Sequence, residues 1–245
     1  YGRIEYNAGQ GGYELRKAVD ARKDQSYFLY SMRKETLDRV LFPLGDLTKP
    51  QVRELARRYR LNTAEKPESQ DICFVPDGGY QEFLRQRVGE AAFTPGPFKN
   101  EQGEVVGEHK GIANYTVGQR DKLGIALGSP VYVYKIEKET NTVYVGPLAR
   151  LYSRGLVARQ FNPLSMDIPK ETITVEACIR YNAPPVKARL TALEADAVRL
   201  DFDEPQKSVT PGQSVVFYRD DVVLGGAVIE DPVRCEAEEV TEVPK

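Results

Sequence analysis

The run Val131-Tyr132-Val133-Tyr134-Lys135-Ile136, the polar turn around Glu139-Thr140-Asn141, and the return Thr142-Val143-Tyr144-Val145 read together as two β-branched and aromatic segments of period two. Such alternation on both sides of a short polar turn predicts a hairpin. Working downstream, similar runs recur at 173–181, 187–192, 197–202, 214–218 and 222–229, separated by turn signals such as Pro211-Gly212 and Asp220-Asp221. Several short strands spaced in this way predict a small antiparallel barrel or sandwich as a separate C-terminal domain. Within 173–181, Val175, Ala177 and Ile179 fall on one face, and Glu176, Cys178 and Arg180 on the other. Working upstream, the Pro- and Gly-rich stretch 94–111 reads as irregular chain that ends a helical region. A short helix is predicted after Asp77, with Tyr80, Phe83, Leu84 and Val88 inward. From Asp24 to Tyr59 the pattern is helical, broken at Phe42-Pro43-Leu44-Gly45. Its clearest helix starts at Thr48, which has capping-box spacing to Gln51 and Pro50 in the first turn. Val52, Leu55, Ala56 and Tyr59 form a face expected to be buried.

The chain has 245 residues, 41% hydrophobic and 29% charged, with 34 Lys+Arg against 36 Asp+Glu. That balance excludes wholesale disorder and a strongly basic nucleic-acid coat. No window holds the roughly 18 apolar residues needed to cross a bilayer, and the N-terminus lacks the plan of a secretion signal, so no membrane partner is expected and the protein is placed in the cytoplasm. Cys73, Cys178 and Cys235 are widely separated and lack metal-site spacing, so a disulfide framework or zinc site is not expected. The charge is unevenly spread: residues 1–60 carry 13 Lys/Arg against 8 Asp/Glu, and residues 226–245 carry 2 against 6. Lys49, Arg53, Arg57, Arg58 and Arg60 on the outer side of the Thr48 helix offer either an RNA-backbone contact or a solvated surface.

Candidate chemistry concentrates in Pro67-Glu68-Ser69-Gln70-Asp71-Ile72-Cys73-Phe74-Val75, a thiol amid polar groups. Cys73 is either a thiolate nucleophile or a small buried hydrophobe. Cys178 and Cys235 are weaker candidates, and the lone His109, in a glycine-flanked loop, is expected at the surface or in local hydrogen bonding. Gly9-Gln10-Gly11-Gly12 lacks a Walker lysine and is expected to be a hairpin turn. In Asp20-Ala21-Arg22-Lys23-Asp24-Gln25-Ser26-Tyr27-Phe28-Leu29, Lys23 can meet phosphate and Gln25 a base edge. Read by composition, Asp24 and Ser26 cap a helix.

Lys23-Asp24-Gln25-Ser26-Tyr27-Phe28-Leu29 and Ser69-Gln70-Asp71-Ile72-Cys73-Phe74 together resemble the tRNA-specific 2-thiouridylase family (MnmA/TrmU). Gly118-Gln119-Arg120 with Leu123-Gly124-Ile125, Val131-Tyr132-Val133, Ile179-Arg180-Tyr181 and Pro211-Gly212-Gln213 extend the resemblance over essentially the whole chain. It implies an α/β remnant of a PP-loop ATP-pyrophosphatase domain over 1–80, a small central domain over 81–150, and a C-terminal antiparallel β-barrel that binds tRNA over 151–245. It also implies that Tyr1 follows an absent upstream part, with its phosphate loop and a first catalytic cysteine, so that this fragment alone is expected to be inactive. The activity implied is a tRNA-uridine 2-sulfurtransferase acting at wobble uridine 34 of tRNAs for Lys, Glu and Gln. ATP, with Mg2+, would adenylate the C2 oxygen. Cys73 would then deliver sulfur as a persulfide, AMP would leave, and the absent cysteine would close a transient disulfide. Lys23, Asp24, Gln25, Arg180, Tyr181 and Gln213 match tRNA-contacting positions. The implied partners are the tRNA anticodon stem-loop and a sulfur-relay or cysteine desulfurase donor protein. A noncatalytic RNA-binding module and a persulfide carrier that never handles RNA are the competing readings.

Overall fold

The computed structural model describes residues 1–66, 80–193 and 196–235. Contacts divide the chain into one unit of Tyr1–Pro67, Arg154–Glu204 and Val209–Val233, and another of Glu68–Ser153, Pro205–Ser208 and Arg234–Lys245.

The first unit is built on β1 (Arg3–Asn7), β2 (Gly12–Arg16), α1 (Ser26–Leu29) and α2 (Lys49–Arg58). Gly9, Gly11 and Gly12 lie in and just after the β1–β2 turn, as the composition of this stretch predicts. The segment predicted helical from Asp24 breaks into α1, a 3-10 turn at Lys34–Arg39, and α2. The predicted capping box at Thr48 and Gln51 is present. The apolar face of α2 is less covered than expected: Val52, Leu55 and Ala56 are half-buried and Tyr59 is 68% exposed. A helix held by its own caps forms without a fully covered stripe.

The helix α3 (Tyr80–Val88) and the strands β3 (Gly96–Lys99), β4 (Val105–His109), β5 (Tyr132–Glu137) and β6 (Thr142–Gly146) belong to the second unit. The strands form a sheet in the order β4-β3-β6-β5. The hairpin at 131–145 is therefore present, as β5–β6, and lies in this sheet. Residues 94–111 are not irregular. Pro97 obscured β3 because proline cannot donate to a ladder; β3 pairs with β6 only at Phe98 and Lys99, which leaves Pro97 outside that ladder. Phe98, Val133, Val143 and Val145 are fully buried in the core of this sheet.

The remaining strands are β7 (Tyr152–Pro163), β8 (Ile173–Cys178), β9 (Val186–Ala192), β10 (Val198–Lys207), β11 (Ser214–Arg219) and β12 (Val222–Arg234). They run β12-β11-β8-β9-β10-β7, and β7 pairs back with β12 to close a barrel. Closure leaves no open edge within the ring. β7 was not predicted; Gly155, Arg159 and Gln160 blur its alternation. Val175, Ala177, Leu190, Leu200, Val215 and Phe217 point into the barrel, as the parity of 173–181 predicts for its own residues.

The outer face of β11 and β12 is also covered. Val216, Tyr218 and Val223 form a second core with Leu15 and Leu37, flanked by Tyr27, Leu29 and Tyr30. A strand buried on both sides reads as one apolar run, and Val215–Tyr218 is such a run. The close approach of α1 requires Gly226, where a Cβ would collide with the Tyr30 ring. Asn162 of β7 donates to the Tyr30 and Met32 carbonyls at 2.6 and 2.8 Å and so satisfies the end of α1.

Candidate nucleic-acid interface

The loop leading into α1 is fixed by its own carboxylates. Asp20 accepts from the Arg22 N–H at 3.1 Å and from the Lys49 N–H at 2.8 Å, and these bonds hold its carboxyl below the usual range. Asp24 accepts from the Ala18 N–H at 2.9 Å, the Ser26 N–H at 3.3 Å and the Ser26 hydroxyl at 2.7 Å. A carboxylate accepts only, so Ser26 donates to Asp24, and the Tyr218 hydroxyl, 3.2 Å from Ser26 Oγ, is left to donate to Ser26. Burial pushes the Tyr218 phenol up, which keeps it in this donor state. A hydrogen-bonded line therefore runs from barrel strand β11 into the Asp24 loop.

The barrel contributes a tight turn after β8. The Ala183 N–H donates to the Arg180 carbonyl at 3.2 Å, and Asn182 takes φ 66°, a left-handed conformation that asparagine tolerates. The turn leaves Arg180 exposed and presents Tyr181 at 39% exposure. The Tyr181 ring lies 4.5 Å from that of Phe28, itself 54% exposed, and 5.9 Å from that of Tyr27. Tyr27 donates to the Ser214 carbonyl at 2.8 Å, and burial raises its phenol to about 12.

These groups line a cavity of about 260 Å³ whose walls include Lys17, Asp24, Tyr27, Cys178, Arg180, Tyr181 and Tyr218. Lys17 sits over the Tyr218 ring at 4.4 Å and donates to the Asp220 carbonyl at 3.0 Å. Arg180 has no ion-pair partner among the described residues. Exposed aromatic faces beside an unpaired guanidinium can stack a base and hold a phosphate.

The structure thus brings Asp24, Arg180 and Tyr181 to one cavity. Composition suggests Asp24 as a cap, but the N-cap of α1 is Gln25, without a side-chain cap bond; Asp24 instead shapes the loop through its bonds to Ala18 and Ser26. Lys23, half-buried, and Gln25, exposed, flank it in the chain. Gln213 shares the parity of Val215 and Phe217, which point into the barrel, and its Oε1 is buried without a hydrogen-bond partner among the described residues. Cys73 lies outside the described residues. Cys178 lines the cavity, but burial pushes its thiol up to about 11; Cys235 is buried. His109 is 1% exposed rather than at the surface, and its expected local hydrogen bonding is present. Its Nδ1 accepts the Gly111 N–H at 3.0 Å, so Nε2 donates to the Asn141 carbonyl at 2.9 Å. Lys17, Tyr27, Phe28 and Tyr218 were not singled out from sequence. The adjacent Tyr27-Phe28 pair was the available signal; Tyr218, inside a continuous apolar run, offered none.

Three family descriptions match successive parts of the chain: "tRNA methyl transferase HUP domain" over residues 1–77, "tRNA methyl transferase PRC-barrel domain" over 81–147, and "Aminomethyltransferase beta-barrel domain" over 153–229. Their order fits a nucleotide-binding-type segment, a central domain and the closed barrel described above. The chain is 50% identical over 230 residues to the tRNA-specific 2-thiouridylase MnmA of Carboxydothermus hydrogenoformans, a match covering 94% of this chain and 63% of the relative. It is 46% identical to the MnmA proteins of Heliobacterium modesticaldum and Pelotomaculum thermopropionicum, covering 94% of this chain and 60% and 62% of those relatives.

The chain belongs to the MnmA/TrmU family.

It spans about three fifths of the length of the MnmA relatives it matches. Among the described residues no three or more His, Cys, Asp or Glu side chains are grouped to hold a metal ion, and no helix is long and apolar enough to cross a membrane.

Proposed function

We propose that this chain carries the tRNA-facing part of a sulfurtransferase that converts the wobble uridine of tRNAs for Lys, Glu and Gln to 2-thiouridine. The reading rests on one observation: the Arg180-Tyr181 turn of the barrel meets the Lys23–Phe28 segment at a single cavity with exposed aromatic faces. A base to be modified must leave its stack, and an anticodon loop makes this less costly than a duplex. Tyr181 and Phe28 offer it a stacking surface, and Arg180 a phosphate contact. Lys23, Gln25 and Gln213 complete the contact set through the family resemblance. The proposed division of labour is residues 1–80 for the ATP-pyrophosphatase portion, 81–150 for the central domain and 151–245 for the tRNA-binding barrel.

ATP, with Mg2+, would supply the activation: transfer of its adenylyl group to the uridine C2 oxygen would release pyrophosphate and let that oxygen depart as part of AMP. Gly9, Gly11 and Gly12 lie in and just after a hairpin turn, and neither group is assigned ligands among the described residues. Cys73 receives sulfur as a persulfide from a relay or desulfurase protein. Its terminal sulfur attacks C2 as AMP leaves. A second cysteine of the complete enzyme then attacks Cys73 Sγ, which breaks the S–S bond, leaves sulfur on C2 and closes a disulfide. The reaction is placed in the cytoplasm.

A gel shift of this chain with an anticodon stem-loop bearing the wobble uridine tests the interface. Tyr181→Ala should weaken binding about tenfold, within the roughly 1–3 kcal/mol of one base–aromatic stack. Equal binding by the variant removes the assigned interface, and no preference for the stem-loop favours a persulfide carrier. In the complete enzyme, Cys73→Ser should abolish 2-thiouridine while tRNA still binds; normal thiolation would leave a noncatalytic RNA-binding module.

A further inference from the structure

Lys49, Arg53 and Arg57 repeat at i, i+4 and i+8 along one side of α2, and Arg60 follows just past its C-terminal cap. All three arginines are exposed, whereas Val52, Leu55 and Ala56 are half-buried. From Lys49 to Arg57 the row is about 12 Å long. Arg57 Nε binds Glu65 at 2.7 Å, an exposed pair that a competing anion can open.

Arg60 stands out by its backbone. The helix ends in a Schellman arrangement: Leu61 N–H donates to the Ala56 carbonyl and Arg60 N–H to that of Arg57, both at 2.9 Å. Arg60 fills the left-handed position of this cap, at φ 52°. Glycine suits that position best, because any Cβ is strained there. The arginine side chain therefore contributes nothing that the cap requires. The row also connects to the cavity loop, since Asp20 binds Arg22 N–H with one oxygen and the α2 residue Lys49 N–H with the other.

We propose that Arg53, Arg57 and Arg60 form a track for the phosphate backbone of the RNA that is read at Tyr181. The inference rests on the tRNA reading above and adds where the chain of phosphates runs. Guanidinium groups match phosphate oxygens two at a time, and a regular row suits a polyanion that repeats along its length.

The test measures binding of an unmodified tRNA transcript to this 245-residue chain across a series of KCl concentrations. The triple variant Arg53→Gln/Arg57→Gln/Arg60→Gly should bind roughly tenfold or more weakly at low salt, and the slope of log Kd against log salt should shrink by about 2, as expected when about three phosphate contacts are lost. Arg60→Gly alone should match or exceed the parent in thermal stability while still weakening tRNA binding, which separates contact from fold. If the parent binds tRNA and the triple variant follows the same curve with the same slope, the track is overturned and the cavity reading stands; a surface serving an acidic protein would give that result. Weaker binding at an unchanged slope also overturns it. If the parent itself shows no binding, the tRNA reading fails and takes the track with it.

Discussion

Cys178 and Tyr218 line the same cavity, and burial shifts both in the same direction. With its thiol near 11 rather than 9.0, Cys178 holds roughly a hundredfold less thiolate at neutral pH than an ordinary cysteine. Iodoacetamide at pH 8 should therefore label Cys178 in the folded chain about a hundred times more slowly than in the denatured chain, as followed by mass spectrometry. A rate equal to the denatured one would contradict its buried setting. Tyr218 differs in having a partner. Tyr218→Phe removes the donor to Ser26 and should lower stability by about 1 kcal/mol in urea denaturation, with the Asp24 loop loosened first. At this scale Asp24, Arg180 and Tyr181, which line one cavity, were pointed to by the family resemblance rather than by residue type, since by type alone Asp24 reads as a helix cap. It did not reveal Tyr218, because in Val215–Tyr218 both faces are buried and alternation carries no sign. Parity also places Gln213 with the inward residues, which its Pro211-Gly212 turn setting does not disclose.

At the scale of elements, local chemistry decided what could be foreseen. The β5–β6 hairpin is held at its turn by Glu137, which accepts from Lys135 and Thr140, each at 2.6 Å, and from Tyr144 at 3.3 Å. These donors hold its carboxyl down to about 2, against 4.5 unperturbed. The folded value lies below the unfolded one, so the stabilisation is complete above about pH 4.5 and is lost as the pH falls toward 2. Amide exchange at Asn141 and Thr142, corrected for intrinsic rates, should rise across that interval, and Glu137→Gln should flatten the dependence. An unchanged profile in the variant would assign the acid response elsewhere. This hairpin and α2 were legible because their alternation, turn and caps are encoded within a dozen residues. The β3–β4 hairpin was not, since Pro97 and the glycines around it mask its alternation and its outer partner is distant in sequence: Phe98 and Lys99 pair with Val143 and Tyr144. For His109 the local bond to Gly111 was legible but the burial was not, its second partner Asn141 being supplied by another hairpin.

At the scale of the molecule, the first 67 residues and the barrel are one unit by contact, although the sequence reads them as separate domains. The joining surface is the outer face of β11 and β12, which buries Leu15 and Leu37, and an ion network at its edge. Asp221, in the β11–β12 turn, accepts from Arg3 at 2.6 Å and from Arg16 at 2.9 Å; Arg16 also binds Glu14 at 2.7 Å, and Arg3 binds Glu5 at 2.6 Å. No local pattern announces such pairing, because its members are some 200 residues apart. A shared apolar face predicts shared cooperativity, so β1, β2 and α1 should not melt before the barrel they cover. Asp221→Ala tests this coupling. Its pairs are partly exposed, so the loss should be near 1 kcal/mol, and the unit should still unfold in one step at a lower midpoint, seen both by tyrosine fluorescence and by amide exchange at Leu15. An early, separate transition for residues 1–66 in the variant would mean that the network, rather than the buried face of Val216, Tyr218 and Val223, is what joins this segment to the barrel.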